Sequence, residues 1–114
     1  MPRIAIFEDN ALMRHALQTL LSAAPNVAVV GAFADASNVV ADVAACQPDV
    51  VLMDIDLPGR DGIWATAELR RTAPAPDVLM LTVFDDDDRI FRALCAGASG
   101  YLLKNALPEH LIQA

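Results

Sequence analysis

Short apolar runs that each end abruptly at a polar residue constrain the fold of this 114-residue chain more than any other feature. Four such runs are residues 3–7 before Glu8 and Asp9, 50–53 before Asp54, 78–81 before Thr82, and 100–103 before Lys104, the single lysine of the chain. A fifth apolar run covers residues 27–33. Between the runs, apolar residues recur at helical spacing, and the connections are short. This alternation of strand and helix patterns predicts a parallel sheet covered by helices.

The predicted helices have recognisable ends. Asp9 or Asn10 can cap the first helix and Asp61 the third, while Gly97 is suited to end the fourth in the left-handed conformation. The expected inward-facing residues are Met13, Ala16, Leu17, Leu20 and Leu21 in the first helix, Val39, Val40, Val43 and Ala44 in the second (about 36–46), Ile63, Thr66 and Leu69 in the third (to about 72), and Ile90, Ala93 and Leu94 in the fourth.

Composition narrows the classes of function. Fifteen acidic residues against eight basic ones give a net charge of −7 without any basic stripe, so this segment is not expected to contact nucleic acid directly. No apolar run approaches the ~20 residues of a membrane span, and the amino-terminal run is too short for a secretory signal, which favours a cytoplasmic protein. Cys46 and Cys95 are expected to be buried or half-buried free thiols.

The residues at the strand ends suit phosphoryl chemistry. Because the carboxyl ends of parallel strands meet at one edge of a sheet, three acids, a hydroxyl and an ammonium are expected to lie together there. Crowded carboxylates raise one another's pKa values unless a cation joins them, and Mg²⁺ favours carboxylate, water and phosphate oxygens. A carboxylate can attack phosphorus, and Mg²⁺, Lys104 and Thr82 could each neutralise one phosphoryl oxygen.

Four segments resemble the receiver domain of bacterial response regulators, most closely that of the NarL/FixJ class. They are residues 6–10 (Ile-Phe-Glu-Asp-Asn), 52–59 (Leu-Met-Asp-Ile-Asp-Leu-Pro-Gly), 81–84 (Leu-Thr-Val-Phe) and 96–104 (Ala-Gly-Ala-Ser-Gly-Tyr-Leu-Leu-Lys). The resemblance covers essentially the whole chain, and the joint occurrence of these motifs in this order is specific. It implies a flavodoxin-like (CheY-like) α/β fold, with a five-stranded parallel sheet in the order 2-1-3-4-5 and helices on both faces.

The resemblance also implies a set of roles. The implied site residues are Asp54 as phosphoacceptor, Glu8 and Asp9 as the acidic pair for Mg²⁺, the main-chain carbonyl of Asp56 as a further metal ligand, Thr82 and Lys104 as phosphate partners, and Tyr101 together with Thr82 as the switch. The implied phosphodonor is a sensor histidine kinase, and the implied output is a helix-turn-helix DNA-binding domain absent from this chain. A homodimer through helix faces stays open. Such a domain catalyses phosphorylation and dephosphorylation of its own aspartate, here Asp54, and is not a turnover enzyme.

The end of the chain departs from the commonest receiver pattern. Asn105 stands where many receivers have a proline after a cis bond, so a trans bond is expected. Leu107 replaces a Ser-like cap before Pro108, so the last helix is expected to start loosely. This helix is truncated at Ala114, and we expect residues 1–114 to be one domain of a longer protein.

Two further departures concern the site itself. Asp56 adds an acid beside the expected metal, and Phe84 is bulky two residues after Thr82. Receivers tune the lifetime of the phosphoryl group at these two places.

Alternative interpretations remain for the same residues. Asp54 and Asp56 after an apolar strand also resemble the nucleophile and general acid of haloacid-dehalogenase-type phosphatases, although that motif belongs on the first strand. A degenerate receiver acting only as an interaction module would need a missing site residue, and none is missing. A flavodoxin-like FMN carrier would need a Ser/Thr-Gly-rich phosphate loop after the first strand, which the sequence lacks. Plain structural roles are a helix cap for Asp9, a half-buried strand aromatic for Tyr101, a capped helix start for residues 85–88, and packing or a contact surface for Trp64.

Overall fold

Strands and helices alternate along the chain, as the sequence pattern predicts. The structure is a computed structural model that describes residues 1–82 and 87–104. In these two ranges the elements are β1 (Arg3–Phe7), α1 (Ala11–Ser22), β2 (Ala28–Phe33), α2 (Val39–Cys46), β3 (Val50–Asp54), α3 (Gly62–Arg70), β4 (Asp77–Thr82), α4 (Asp87–Cys95) and β5 (Gly100–Leu103). The predictions for Phe84, Asn105, Leu107 and the truncated helix from Pro108 to Ala114 lie outside the described residues.

The five strands form one parallel sheet in the order β2-β1-β3-β4-β5, which confirms the predicted order. The central strands are aligned so that their carboxyl ends reach the same edge. Phe7 pairs with Met53, Asp54 pairs with Leu81, and Thr82 pairs with Leu103. The residues that follow the apolar runs are thereby brought to one edge of the sheet.

Both faces of the sheet are covered, because alternate strand residues point to opposite sides. One core contains Phe7, Met53 and Met80 from the strands, packed with residues of α2, α3 and α4. The other contains Ile6, Leu52 and Leu81, packed mainly against α1. The central strands are therefore apolar on both faces between their polar ends, as expected for a parallel sheet buried on both faces.

Two helices begin next to the polar edge of the sheet, each at a predicted cap. The side chain of Asn10 accepts a hydrogen bond from the Met13 N–H at 3.0 Å, and that of Asp61 accepts one from the Trp64 N–H at 2.9 Å. A side-chain cap satisfies one of the amide groups that the first helical turn leaves unpaired. The caps fix where α1 and α3 leave the edge of the sheet.

Some sequence predictions were wrong in detail. Val40 and Leu94 are 41% and 42% exposed rather than inward-facing, and Ala44 is exposed as well. The second helix starts at Val39 instead of near residue 36, and it buries only a narrow strip formed by residues one turn apart. In α4 the strip is formed by Ile90 and Ala93, and Leu94 lies beside it.

The free thiols and the tryptophan also have defined positions. Cys46 is half-buried as expected, whereas Cys95 is exposed, because it ends α4 on the side away from the core. Trp64 is half-buried against the first core, and the Arg60 guanidinium lies 4.5 Å from the centre of its ring.

Of the helices in the described ranges, none has the length and apolarity needed to cross a membrane.

Candidate functional site

Three carboxylates lie together at the carboxyl ends of β1 and β3. Glu8, Asp9 and Asp54 each contribute one oxygen to a cluster in which these oxygens are within 4.8 Å of one another. Glu8 and Asp54 are buried, with 0% and 2% exposure, while Asp9 is exposed. Glu8 is held at the sheet edge because its N–H donates to the Phe33 carbonyl at 3.0 Å. We call Glu8, Asp9 and Asp54 the acid cluster.

Lys104 brings a positive charge to the acid cluster from the far edge of the sheet. It follows β5 directly and is only 9% exposed. Its Nζ lies 3.3 Å from Asp54 Oδ2 and forms an ion pair with Glu8 Oε1. An ammonium between two buried carboxylates offsets part of their mutual repulsion and of the cost of their burial.

Backbone N–H groups orient the remaining oxygens of the buried acids. The Asp56 N–H donates to Asp54 Oδ1 at 3.1 Å, and the Asn10 N–H donates to Glu8 Oε2, also at 3.1 Å. Each buried carboxylate therefore has one oxygen held by the backbone and the other beside Lys104. Such charge-assisted hydrogen bonds fix the direction in which a carboxylate presents its free lone pairs.

The crowding of acids is visible in their titration. The pKa of Glu8 is raised from 4.5 to about 7, first by burial and then by the adjacent Asp54, while Lys104 and the Asn10 N–H act in the opposite direction. Burial lowers the pKa of Lys104, but its hydrogen bond to Glu8 and the charges of Asp54 and Glu8 outweigh this, so the pKa is raised overall. Near neutral pH Lys104 is charged, and Glu8 can gain or lose a proton.

The acid cluster fits a hard divalent cation. Its donors are all carboxylate oxygens, which Mg²⁺ prefers over nitrogen or sulfur. Glu8 Oε1 is buried, and its partner among the described residues is the Lys104 ammonium. Asp9 is exposed, so the cluster is open to solvent on one side. Few protein ligands and an open side suit an ion that keeps several waters.

The two predicted switch residues lie on neighbouring strands. Thr82 is the last residue of β4, is 2% exposed, and pairs with Leu103, the residue before Lys104. Its hydroxyl is therefore at the same edge of the sheet as the acid cluster. Tyr101 pairs with Met80, two residues before Thr82, and is 43% exposed on edge strand β5. The structure thus brings Thr82 to the site edge and leaves Tyr101 on the surface.

Asp56 has a partner that sequence reasoning missed. Its carboxylate forms an ion pair with the guanidinium of Arg89 in α4, with side-chain exposures of 50% for Asp56 and 29% for Arg89. The two residues are 33 positions apart, on a loop and a helix, and no periodic pattern links them. The sequence carries no signal that singles out this pair, because Arg92 follows the same acidic run three residues later.

Comparison with known proteins gives one consistent result. The family of response regulator receiver domains matches residues 4–114. The transcriptional regulatory protein LiaR of Bacillus subtilis is 36% identical over 114 residues, which are 100% of this chain and 54% of that protein. The oxygen regulatory protein NreC of Staphylococcus carnosus is 37% identical over 113 residues, which are 98% of this chain and 52% of that protein. The chain spans about half the length of these curated relatives.

A solved structure agrees with the sequence comparison. A two-component response regulator of the LuxR family from Aurantimonas sp. SI85-9A1 has a TM-score of 0.88 and 35% sequence identity. The alignment covers 100% of this chain and 81% of that chain. The similarity therefore extends over all the elements that form the acid cluster and its surroundings.

Proposed function

Since this chain belongs to the family of response regulator receiver domains, we propose that Asp54 accepts a phosphoryl group from a sensor histidine kinase. The observation that carries the proposal is the environment of Asp54, a buried carboxylate between Lys104 and the Asp56 N–H, beside two further acids. In the reaction, an Asp54 oxygen forms a bond to phosphorus while the bond from phosphorus to the histidine nitrogen breaks. The released imidazole then takes up a proton.

The proposed metal ligands are the three carboxylates of the acid cluster and the main-chain carbonyl of Asp56. Mg²⁺ bound there would neutralise charge on a phosphoryl oxygen. The fit of the all-oxygen donor set supports this assignment. Metal binding requires ionised carboxylates, so it competes with the proton on Glu8.

Lys104 and Thr82 are proposed to bind the phosphoryl group itself. Lys104 contacts the oxygens of Asp54 and Glu8, so its ammonium is positioned to bind an oxygen of a phosphoryl group on Asp54. A cation held by the three carboxylates would supply positive charge beside it. The hydroxyl of Thr82, at the same edge, is suited to donate to another. The N–H of Asp56 keeps the second oxygen of Asp54 in place during the transfer. These donors stabilise the charge that develops on the transferred group.

The output is proposed to be transcriptional. The relatives that match are named as regulatory proteins and are about twice the length of this chain, which supports a further domain in the whole protein. We expect that domain to be a helix-turn-helix DNA-binding domain, with phosphorylation at Asp54 passed to it through Thr82 and Tyr101. Dimerisation through helix faces belongs to the same proposal.

The enzyme and interaction-module alternatives have less support. A phosphatase would need the carboxylate of Asp56 as a general acid, whereas here it is paired with Arg89. The Asp-x-Asp motif also follows β3 rather than the first strand. The matching relatives are named as regulators, not as turnover enzymes. A degenerate receiver is disfavoured because the acid cluster, Thr82 and Lys104 are all in place.

The test is chemical phosphorylation. The chain is incubated with acetyl phosphate and Mg²⁺, and intact mass is followed. One phosphoryl mass should be added, Asp54→Asn should abolish the addition, and removal of Mg²⁺ with a chelator should do the same. Asp77→Asn is the matched control, because Asp77 is an exposed acid at the opposite end of β4. Addition that persists in Asp54→Asn contradicts the assignment and moves the site to Asp9 or Asp56.

A further inference from the structure

We propose that Arg89 is a positioning residue for the phosphorylation site, because its ion pair holds the carboxylate of Asp56 out of the acid cluster. This inference rests on the proposed function and adds a residue to it. Its proposed effect on the site passes through Asp56, the carboxylate with which its guanidinium forms an ion pair. Its guanidinium fixes a carboxylate that stands only two residues beyond the phosphoacceptor.

The main chain and the side chain of Asp56 have different partners. Its backbone N–H donates to Asp54 Oδ1 at 3.1 Å, so the main chain of this residue belongs to the site. Its side chain turns to α4, where Oδ1 pairs with the Arg89 Nη2. Among the described residues, the acids close enough to share an ion are Glu8, Asp9 and Asp54, and Asp56 is not one of them.

The charge balance explains why such a restraint matters. Three carboxylates already share the site with one ammonium, and a fourth free carboxylate nearby would add to the negative potential. A more negative site attracts a divalent cation more strongly and repels an anionic phosphodonor. Pairing with Arg89 neutralises Asp56 and anchors it, which favours approach of the donor. The same pair ties the start of α4 to the loop after β3.

Loss of the ion pair should raise Mg²⁺ affinity and lower the rate of labelling, and a merely structural defect cannot produce these two opposite changes. In Arg89→Gln we expect Mg²⁺ to bind about two- to fivefold more tightly and acetyl phosphate to label Asp54 about two- to fivefold more slowly at saturating Mg²⁺. Mg²⁺ affinity is read from Trp64 fluorescence and labelling from intact mass. A variant whose site is only loosened would bind Mg²⁺ less well and also be labelled more slowly.

Three further variants isolate the ion pair. Arg89→Lys keeps the charge and should retain wild-type behaviour. Arg92→Gln removes the same charge from an exposed position of the same helix, while the ion pair of Asp56 is with Arg89, and it should also behave as wild type. In an Asp56→Asn background, Arg89→Gln should have no additional effect, because the carboxylate that it restrains is gone.

Each arm has an outcome that overturns the proposal. It is wrong if Arg89→Gln lowers both Mg²⁺ affinity and labelling, if Arg92→Gln reproduces its effects, or if the effects persist beside Asp56→Asn. If the wild-type chain is not labelled, that result contradicts the proposed function instead. The role of Arg89 is then tested by NMR, in the absence of phosphate and metal. The amide resonance of Asp56 should shift in Arg89→Gln and not in Arg92→Gln, and an unmoved resonance refutes the role of Arg89.

Discussion

The Lys104 ammonium lies 3.3 Å from Asp54 Oδ2, although the two residues are 50 positions apart in the chain. The contact joins the end of edge strand β5 to the end of central strand β3, across β4. It makes the stability of the sheet edge depend on the charges of the site. Substitutions in the site should therefore change both phosphorylation and folding.

Replacing Lys104 by Met should lower the free energy of unfolding by about 2 kcal/mol in the absence of metal. Two buried carboxylates would lose their ammonium, and uptake of a proton by Glu8 limits the loss. Added Mg²⁺ should restore part of the stability by mass action, as measured by urea denaturation. Arg71→Gln is the control, because its pair with Glu68 is on the surface and should matter by about 0.5 kcal/mol or less. Equal losses in the two variants would contradict the prediction.

Replacing Glu8 by Gln should change how stability depends on pH. The folded pKa of Glu8, about 7, is above the ordinary value of 4.5, so the fold favours the neutral carboxyl. That contribution is complete below pH 4.5 and is lost as pH rises through about 7. Glu8→Gln stays neutral, so above pH 7 it should unfold with a free energy higher than wild type by on the order of 2 kcal/mol. Glu68→Gln, on the surface, should leave the pH profile unchanged.

Mg²⁺ binding should show the complementary pH dependence. In the wild-type chain, affinity should rise as pH increases through about 7, because Glu8 must lose its proton to become a ligand. Without phosphate, binding should be weak, since few protein carboxylates supply the ligands. Fluorescence of Trp64 at the start of α3 can follow the titration. An affinity that does not change with pH would remove Glu8 from the ligand set.

Replacing Gly62 by Ala should destabilise the fold by about 3 kcal/mol and slow labelling of Asp54. An added Cβ would lie 2.1 Å from the Asp54 carbonyl oxygen and 3.0 Å from Met53 Cγ, so β3 or α3 must move. Gly59→Ala separates this clash from backbone strain, because Gly59 has a φ of +74° and a Cβ added there would meet no described atom within 4 Å. Its cost should be about 1 kcal/mol, with labelling intact. Denaturation and intact mass measure both effects.

Beryllofluoride, which mimics a phosphoryl group on a carboxylate, should perturb amide signals beyond the acid cluster. We expect phosphate to favour a state in which Thr82 moves towards the site and Tyr101 turns inward. NMR changes should then occur at Thr82, at Tyr101 and in α4 between Ile90 and Leu94. The unphosphorylated domain should sample both states, since a ligand shifts populations only by its differential affinity. Changes confined to the loop beside Asp54 would mean that phosphate is bound without being relayed.

The sequence predicted best those features that a local pattern of residue types indicates by itself. Apolar runs ending in acids predicted the strands and the edge at which they meet, and Asn10 and Asp61 predicted two helix starts. These signals are local, so they can be interpreted without knowledge of tertiary contacts. The acidic edge followed because the carboxyl ends of parallel strands must share a side.

The sequence was least informative where a contact depends on distant elements. Val40 and Leu94 fit helical spacing but are exposed, since the width of a buried strip is set by the sheet beneath it. The Asp56–Arg89 pair joins a loop to a helix start, and neither residue type nor spacing indicates it. Cys95 is exposed because of where α4 ends, not because of its apolar neighbours in sequence.

The strand order also determines when the site can exist during protein synthesis. Glu8 follows β1 and Asp54 ends β3, so both are made early, whereas the lysine between them is made after the fifth strand. A nascent chain that has not yet reached residue 104 contains the acids without the ammonium that balances them. The site is completed only when β5 joins the open edge of β4, so translation must deliver the last strand before the chain can receive a signal.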